Sequence, residues 1–284
     1  MRNLVILLWL CLPVAALCQH LSADNIAPPD TSVSATHKKT TYSTKFIDRF
    51  KIQFSPVGVA VVHNNAANVN TQYTNANGDF HVNQATALPA TSVSLGISLG
   101  FEFEAWKNWL IDLNGFGGYT GEANFIYNAG VAYRWKIGTY KKHILALTPG
   151  IDFTSNDIRK KIGDYDNPGK AAVIEGTTFT TDQVSVYLER RQSGISPKLG
   201  LNLNVKRRLW LFAELSCFVP FSNSDKLLFR DKHSFGYELT ASKQHIPSSG
   251  VSLDAPSVQF RKDGQPSTTL PFSQLLFFNV GVKL

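Results

Sequence analysis

The side chains best able to do chemistry here are charged groups set into runs of strictly alternating polarity. Glu102 and Glu104 end the run TSVSLGISLGFEFEAW, Asp112 lies in WLIDLNGFGGY, and Arg134 lies in NFIYNAGVAYRW. Lys198 and Glu214 occupy the polar positions of two later runs, and Lys136, Gln274 and Lys283 join them by the same count of two. Neighbouring carboxylates can share general acid and base work, and a file of such groups can pass protons or ions. The other reading is structural. In a narrow packed interior every acid must find a base, because an unpaired charge away from water is costly. That reading predicts that Glu102, Glu104 or Glu214 bridges Arg134 or Lys198, and it is the one adopted.

Other constellations carry less. A nucleophile with a base would have to draw on His63, His81 or the neighbours His233 and Ser234, and none stands in a catalytic spacing. GFGGYTG, at Gly115 to Gly121, is glycine-rich but has no helix after it to hold a phosphate, so it reads as tight strand packing. Cys11 and Cys18 fall in the N-terminal apolar stretch, which leaves Cys217 alone downstream and no internal disulfide. No Cys/His metal spacing appears, so the sequence calls for no metal and no cofactor. Lys160, Lys161, Arg190 and Arg191 lie in a long polar segment and could hold phosphates, although nearby acids offset them.

Eight strands are needed to position these groups. Period-two alternation marks a strand with two unlike faces. In the run from Thr91, the residues Val93, Leu95, Ile97, Leu99, Phe101 and Phe103 alternate with Ser, Gly and Glu, and the chain then reverses within two residues. The same pattern recurs at about Arg49 to Val62, with a phase slip at Ser55-Pro56 that predicts a bulge. It recurs again from Trp109, Asn124, Leu145, Ile195 and Leu209, and in the closing FSQLLFFNVGVKL. Val184, Val186 and Leu188 also alternate, so strand six is expected to extend outward.

The connections separate by parity. Odd ones are about 26, 5, 38 and 50 residues, and even ones about 2, 5 and 2. Short turns on one side and long loops on the other characterise transmembrane barrels, and an even strand count leaves both termini on the short-turn side. The long loops are 64–89, 156–193 and 221–271. Loop 64–89 is loaded with Asn, Thr and Gln and reads as a surface segment unable to bury a core. Trp109 and Trp135 would stand in one aromatic girdle, and Tyr119, Phe125, Phe153 and Phe272 in the other.

The ends and the composition agree. MRNLVILLWLCLPVAALC reads as a secretory signal, residues 1–18, with cleavage before Gln19; a lipoprotein signal at Cys18 is disfavoured by Leu17. Residues 19–45 read as a flexible periplasmic leader. Net charge is +7, and export directs it to anionic lipid and lipopolysaccharide and away from nucleic acid. Mean hydropathy is −0.09, and no run of 18 apolar residues follows the signal, which excludes a helical membrane protein but not a barrel.

With the signal ending ALC-Q, the eight alternating runs and the ending LLFFNVGVKL, the chain resembles the small outer-membrane β-barrel family, similar to the OmpA transmembrane domain and OmpX. The resemblance covers about 46–284 and departs in ending on Leu284 where an aromatic is usual. It implies an all-β fold: an eight-stranded antiparallel transmembrane β-barrel, an up-and-down meander in the Gram-negative outer membrane. It also implies a monomer, with the barrel-assembly machinery as a partner that reads the C-terminal strand. The family fixes no activity. The expectation is a non-enzymatic protein with a structural, adhesive or surface-binding role carried by its loops. The alternatives are a narrow channel for small or hydrophobic solutes, a lipid A-modifying enzyme, and an exported soluble β-sandwich.

Overall fold

The computed structural model describes residues 49–64, 67–119, 122–140, 143–206, 208–233 and 246–284, all within the unit Thr44–Leu284. The expected signal and leader lie outside the described residues. Strand succeeds strand, with one short 3-10 turn at Pro168–Lys170 among them.

The strands are β1 Phe50–Asn64, β2 Asn68–Thr74, β3 His81–Ala87, β4 Thr91–Trp106, β5 Trp109–Tyr119, β6 Glu122–Tyr133, β7 Trp135–Tyr140, β8 His143–Asp166, β9 Val173–Ile174 and β10 Thr177–Thr178. They continue as β11 Gln183–Asn204, β12 Trp210–Cys217, β13 Val219–Asp231, β14 Ser248–Ser252, β15 Val258–Lys262, β16 Gln265–Pro266 and β17 Phe272–Lys283. Antiparallel ladders join β1 to β4, β4 to β5, β5 to β6, β6 to β8, β8 to β11, β11 to β12, β12 to β17, and β17 back to β1. The ladders therefore form a cycle, which is how a sheet removes its own edges. β7 continues β6 past Arg134 and pairs with the start of β8.

Local chemistry explains the joints. The ladders of β1 shift register between Phe54 and Val57 against β17 and between Ser55 and Gly58 against β4, around Pro56, which has no N–H to give a ladder. Between β4 and β5 the chain turns on Lys107 and Asn108, with Asn108 at φ 66°, a left-handed conformation that Asn tolerates. A methyl group at Gly130 would collide with Asp152 and the Ile151 carbonyl, so β6 and β8 approach this closely only because that side chain is missing.

β8 and β11 run on far past the cycle, with 24 and 22 residues. Beyond the cycle they form a sheet ordered β8-β11-β13-β14. A second sheet, ordered β16-β15-β2-β3, is built from the first and third long loops. The two sheets share one buried core that includes Val62, Tyr73, Phe80, Val186, Leu188, Phe229 and Phe272. This cap corrects two expectations. The segment 64–89, read as unable to bury a core, contributes Val69, Tyr73, Phe80 and Val82 at 3% exposure or less. The stretch 221–271, read as one long loop, holds β13 to β16. Each segment alone has too few apolar residues to pack, and together they supply both walls of a core.

Candidate functional site

The lumen of the cycle is the most densely charged region. β1, β4 and β17 place Lys51, Glu102 and Lys283 on their inner faces, and Arg134 joins them from the junction of β6 and β7, each 8% exposed or less. Glu102 lies 3.1 Å from Lys51 Nζ and 2.7 Å from Lys283 Nζ and also accepts a hydrogen bond from Arg134. Arg134 reaches on to Glu104 at 2.8 Å. Trp210 floors this layer, with Lys51 and Arg134 at 5.3 and 5.1 Å from its ring centre, and Lys283 sits 4.9 Å from the ring centre of Phe212. Lys198 forms a second centre, 2.6 Å from both Asp112 and Asp152.

The layers continue without a gap in chemistry. Asn279 and Ser98 exchange hydrogen bonds, and Thr154 donates to Asn128 at 2.9 Å, with its hydroxyl 2.7 Å from that of Ser196. Ala60, Phe116, Ile126 and Phe277 make a small apolar cluster on the inner face. Asn124 donates to Gln274 at 3.0 Å, and Gln192 donates to Asn223 at 2.9 Å. The two centres together set four cations, Lys51, Arg134, Lys283 and Lys198, against four carboxylates, Glu102, Glu104, Asp112 and Asp152, and such close pairing favours a packed interior over a hydrated path.

Of the residues singled out from sequence, Glu102, Glu104 and Arg134 meet in the first centre and Asp112 joins Lys198 in the second. Glu214 is half-buried and bridges neither cation among the described residues. Asp152 was missed, although its even-numbered position on the fifth run was a usable signal. Lys136 is exposed although β7 keeps the register of β6 on β8 through Arg134, because it lies in the stretch 135–139, every residue of which is exposed.

The outer surface has two corrections. Trp109, Trp135, Tyr119, Phe125 and Phe153 are exposed, from 36% to 70%, as a girdle requires. Phe272 is not: it is 0% exposed, its position on β17 faces inward, and the cap closes over it. Among the proposed phosphate contacts, Lys161 and Arg191 are exposed. Lys160 and Arg190 are 4% and 6% exposed on the inner face, over the ring of Phe272, and Arg190 pairs with Asp225. Adjacent residues on a strand point to opposite faces, so a pair of basic neighbours cannot share one partner.

Beyond the cycle, Asp164 holds the outer ends of β8 and β13 together, 2.6 Å from Lys161 and 2.9 Å from Lys232, and accepts a hydrogen bond from Ser185. Burial alone would raise its pKa, but the hydrogen bonds from Lys161, Lys232 and Ser185 outweigh that and lower it to about 2. A depressed carboxylate contributes stability that is complete above its unfolded value and fades as pH falls toward the folded one. Acidification from about pH 4 to about pH 2 is therefore expected to loosen this tip. Amide hydrogen exchange at Lys161 to Asp166 would report it, and Asp164→Asn should abolish the pH dependence in that window.

His63, His81 and His233 lie on β1, on β3 and just after β13. His81 Nδ1 and Thr74 Oγ1 are 3.1 Å apart. Among the described residues no group of three His, Cys, Asp or Glu is placed to hold a metal ion.

No family model matches this sequence, and no curated protein matches it. Solved structures do. The outer membrane protein OprG from Pseudomonas aeruginosa is 10% identical, with 82% of this chain and 93% of that chain covered and a TM-score of 0.35. Ail, the attachment invasion locus protein of Yersinia pestis, is 7% identical, with 82% and 98% covered and a TM-score of 0.29. CarO2 of Acinetobacter baumannii is 12% identical, with 82% and 100% covered and a TM-score of 0.24. In its cycle of antiparallel ladders and its apolar outer face, the chain resembles the small outer-membrane β-barrel family.

Proposed function

We propose that this chain is a non-enzymatic outer-membrane protein: an eight-stranded transmembrane β-barrel with a packed lumen, carrying a folded β cap outside the cell as its contact surface. In this reading it is exported by the 1–18 signal, inserted through its C-terminal strand by the barrel-assembly machinery, and works as a monomer without a cofactor. Its role is structural, adhesive or ligand-binding.

One observation carries the membrane assignment: polarity inverts along single strands. On β11, Lys198 and Asn202 are buried while Ile195, Leu199, Leu201 and Leu203 are 37% to 45% exposed. Farther out on the same strand, Val184, Val186 and Leu188 are fully buried, and Arg191 is exposed. A strand in water buries its apolar face along its whole length. A strand that crosses from lipid into water must turn its apolar residues outward in the first medium and inward in the second. On β4 the exposed apolar series from Val93 to Phe101 covers roughly 27 Å of strand, or about 21 Å of height at a tilt near 40°, close to the height of a barrel's lipid-facing band.

Fractionation with the outer membrane, together with a gel mobility that changes on heating, tests the location. A soluble periplasmic pool of folded protein would refute it. For the lumen, purified protein in planar bilayers is expected to show essentially no single-channel conductance. Regular openings would instead favour the narrow-channel reading.

A further inference from the structure

We infer that the outward face of the extended β8-β11-β13 sheet, just above the apolar band, is a binding site for a phosphorylated lipid headgroup of the outer leaflet. The inference rests on the outer-membrane reading, which supplies the lipid.

The ladders stack the relevant rows. Phe153 and Ile195 are paired at the top of the apolar band, with the Phe221 ring centre 6.0 Å from that of Phe153. Two residues farther out is a hydroxyl row of Ser155, Ser193 and Ser222. Next come Asp157 and Arg191, then Arg159, Glu189 and Lys226. Lys161, Tyr187 and Leu228 form the next row, and Asp164, Ser185 and Arg230 the one after it. Polarity thus grades from aromatic to hydroxyl to cation along one surface. The Arg191 row stands about 13 Å of strand beyond the Phe153 row, roughly 10 Å in height at a tilt near 40°. Guanidinium and ammonium groups from there can reach back into the headgroup layer, which is about 5–8 Å thick on each side.

The charge is not cancelled on this face. Arg159 pairs with Asp157 at 2.7 Å and Glu189 at 2.9 Å, Arg191 with Glu189 at 3.3 Å, and Lys161 with Asp164 at 2.6 Å. Among the described residues, Lys226 and Arg230 make no ion pair. Five cations therefore face three carboxylates, and Glu189 is 2% exposed beneath the basic side chains. The site is also one-sided. At the same boundary on β1, β4 and β5 the outward residues are His63, Thr91, Val93 and Tyr119, with no Lys or Arg among those described. Two arginines and a lysine above an aromatic rim offer fork and point donors to phosphate oxygens, while the rim takes the acyl chains.

The test uses the full chain folded in neutral detergent micelles, with a fluorescent bis-phosphorylated glucosamine glycolipid as probe and its dephosphorylated form as comparison. Lys226→Gln with Arg230→Gln is expected to weaken the phosphorylated probe about tenfold and leave the mobility change on heating intact. Arg261→Gln with Lys262→Gln, on the other cap sheet, should leave binding unchanged. Arg191→Gln should weaken binding as well. Equal binding of the dephosphorylated form, an equal loss in the Arg261 and Lys262 control, or an unchanged Lys226 and Arg230 variant would overturn the site. Displacement by millimolar inorganic phosphate would assign the site to a free anion and overturn the lipid. Because binding is read on the folded barrel in micelles, protein that binds but does not fractionate with the outer membrane refutes the location alone.

Discussion

Glu102→Leu is expected to be the most damaging single substitution in the barrel, costing about 3–5 kcal/mol or preventing folding. Glu102 is 3% exposed and is the shared partner of Lys51, Arg134 and Lys283. Removing it leaves three cations facing one another over Trp210, with only Glu104 left to Arg134. The repulsion acts between β1, β6 and β17, so it also opposes closure of the first strand on the last. Urea titration in micelles, following the heat-sensitive gel band, would measure the loss. Adding Lys51→Met should recover part of it, because the deficit is one of uncompensated charge and not of volume. A shift below about 1 kcal/mol would mean that water already screens these groups. That result would undercut the packed lumen and revive a conducting path.

Phe229→Ala tests the cap, with an expected cost of about 3–5 kcal/mol. Phe229 is 0% exposed, with its ring centre 4.8 Å from that of Tyr73 and 6.2 Å from that of Phe80. It therefore joins β13 of one sheet to β2 and the Phe80 segment of the other. Truncation leaves a cavity between walls drawn from two distant stretches of chain. The loss should stay in the cap, because the barrel is held by its own cycle of ladders. Limited proteolysis is the direct readout: cleavage between 67 and 90 and between 246 and 270, with the barrel core protected and its heat-sensitive mobility kept. If the variant instead loses the barrel as well, cap and barrel fold as one cooperative unit, and the division of labour proposed above is wrong.

The eight alternating runs were legible because alternation on a two-faced strand is written locally, residue by residue. Val93 to Phe103 needs no distant partner to show which side is apolar. The candidate interior charges were legible for the same reason: Glu102, Asp112, Arg134 and Lys198 could be placed on a face by counting. Pairing partners were only half legible. Counting gives the face and not the stagger between strands, so Asp152 was overlooked beside Lys198. Parity failed where a strand changed phase, as in β17, where the irregularity between Gln274 and Leu276 turns Phe272 inward while Phe278 and Val280 face outward.

The cap was not legible, although its signals were present. Val69 and Tyr73, Phe80 and Val82, and Leu227 and Phe229 each alternate, but every pair lies in a segment too polar to pack by itself. A core assembled from three segments, none apolar enough alone, appears only when the tertiary structure brings them together. The same holds for Arg190, which pairs with Asp225 and donates to the Phe272 carbonyl. Local period and the sidedness of the apolar face were thus determined by the sequence itself, since each depends on neighbours one or two residues away. Which carboxylate meets which cation, and that long polar loops fold into a second core, depended on contacts between residues far apart in the chain, and only the tertiary structure decided them.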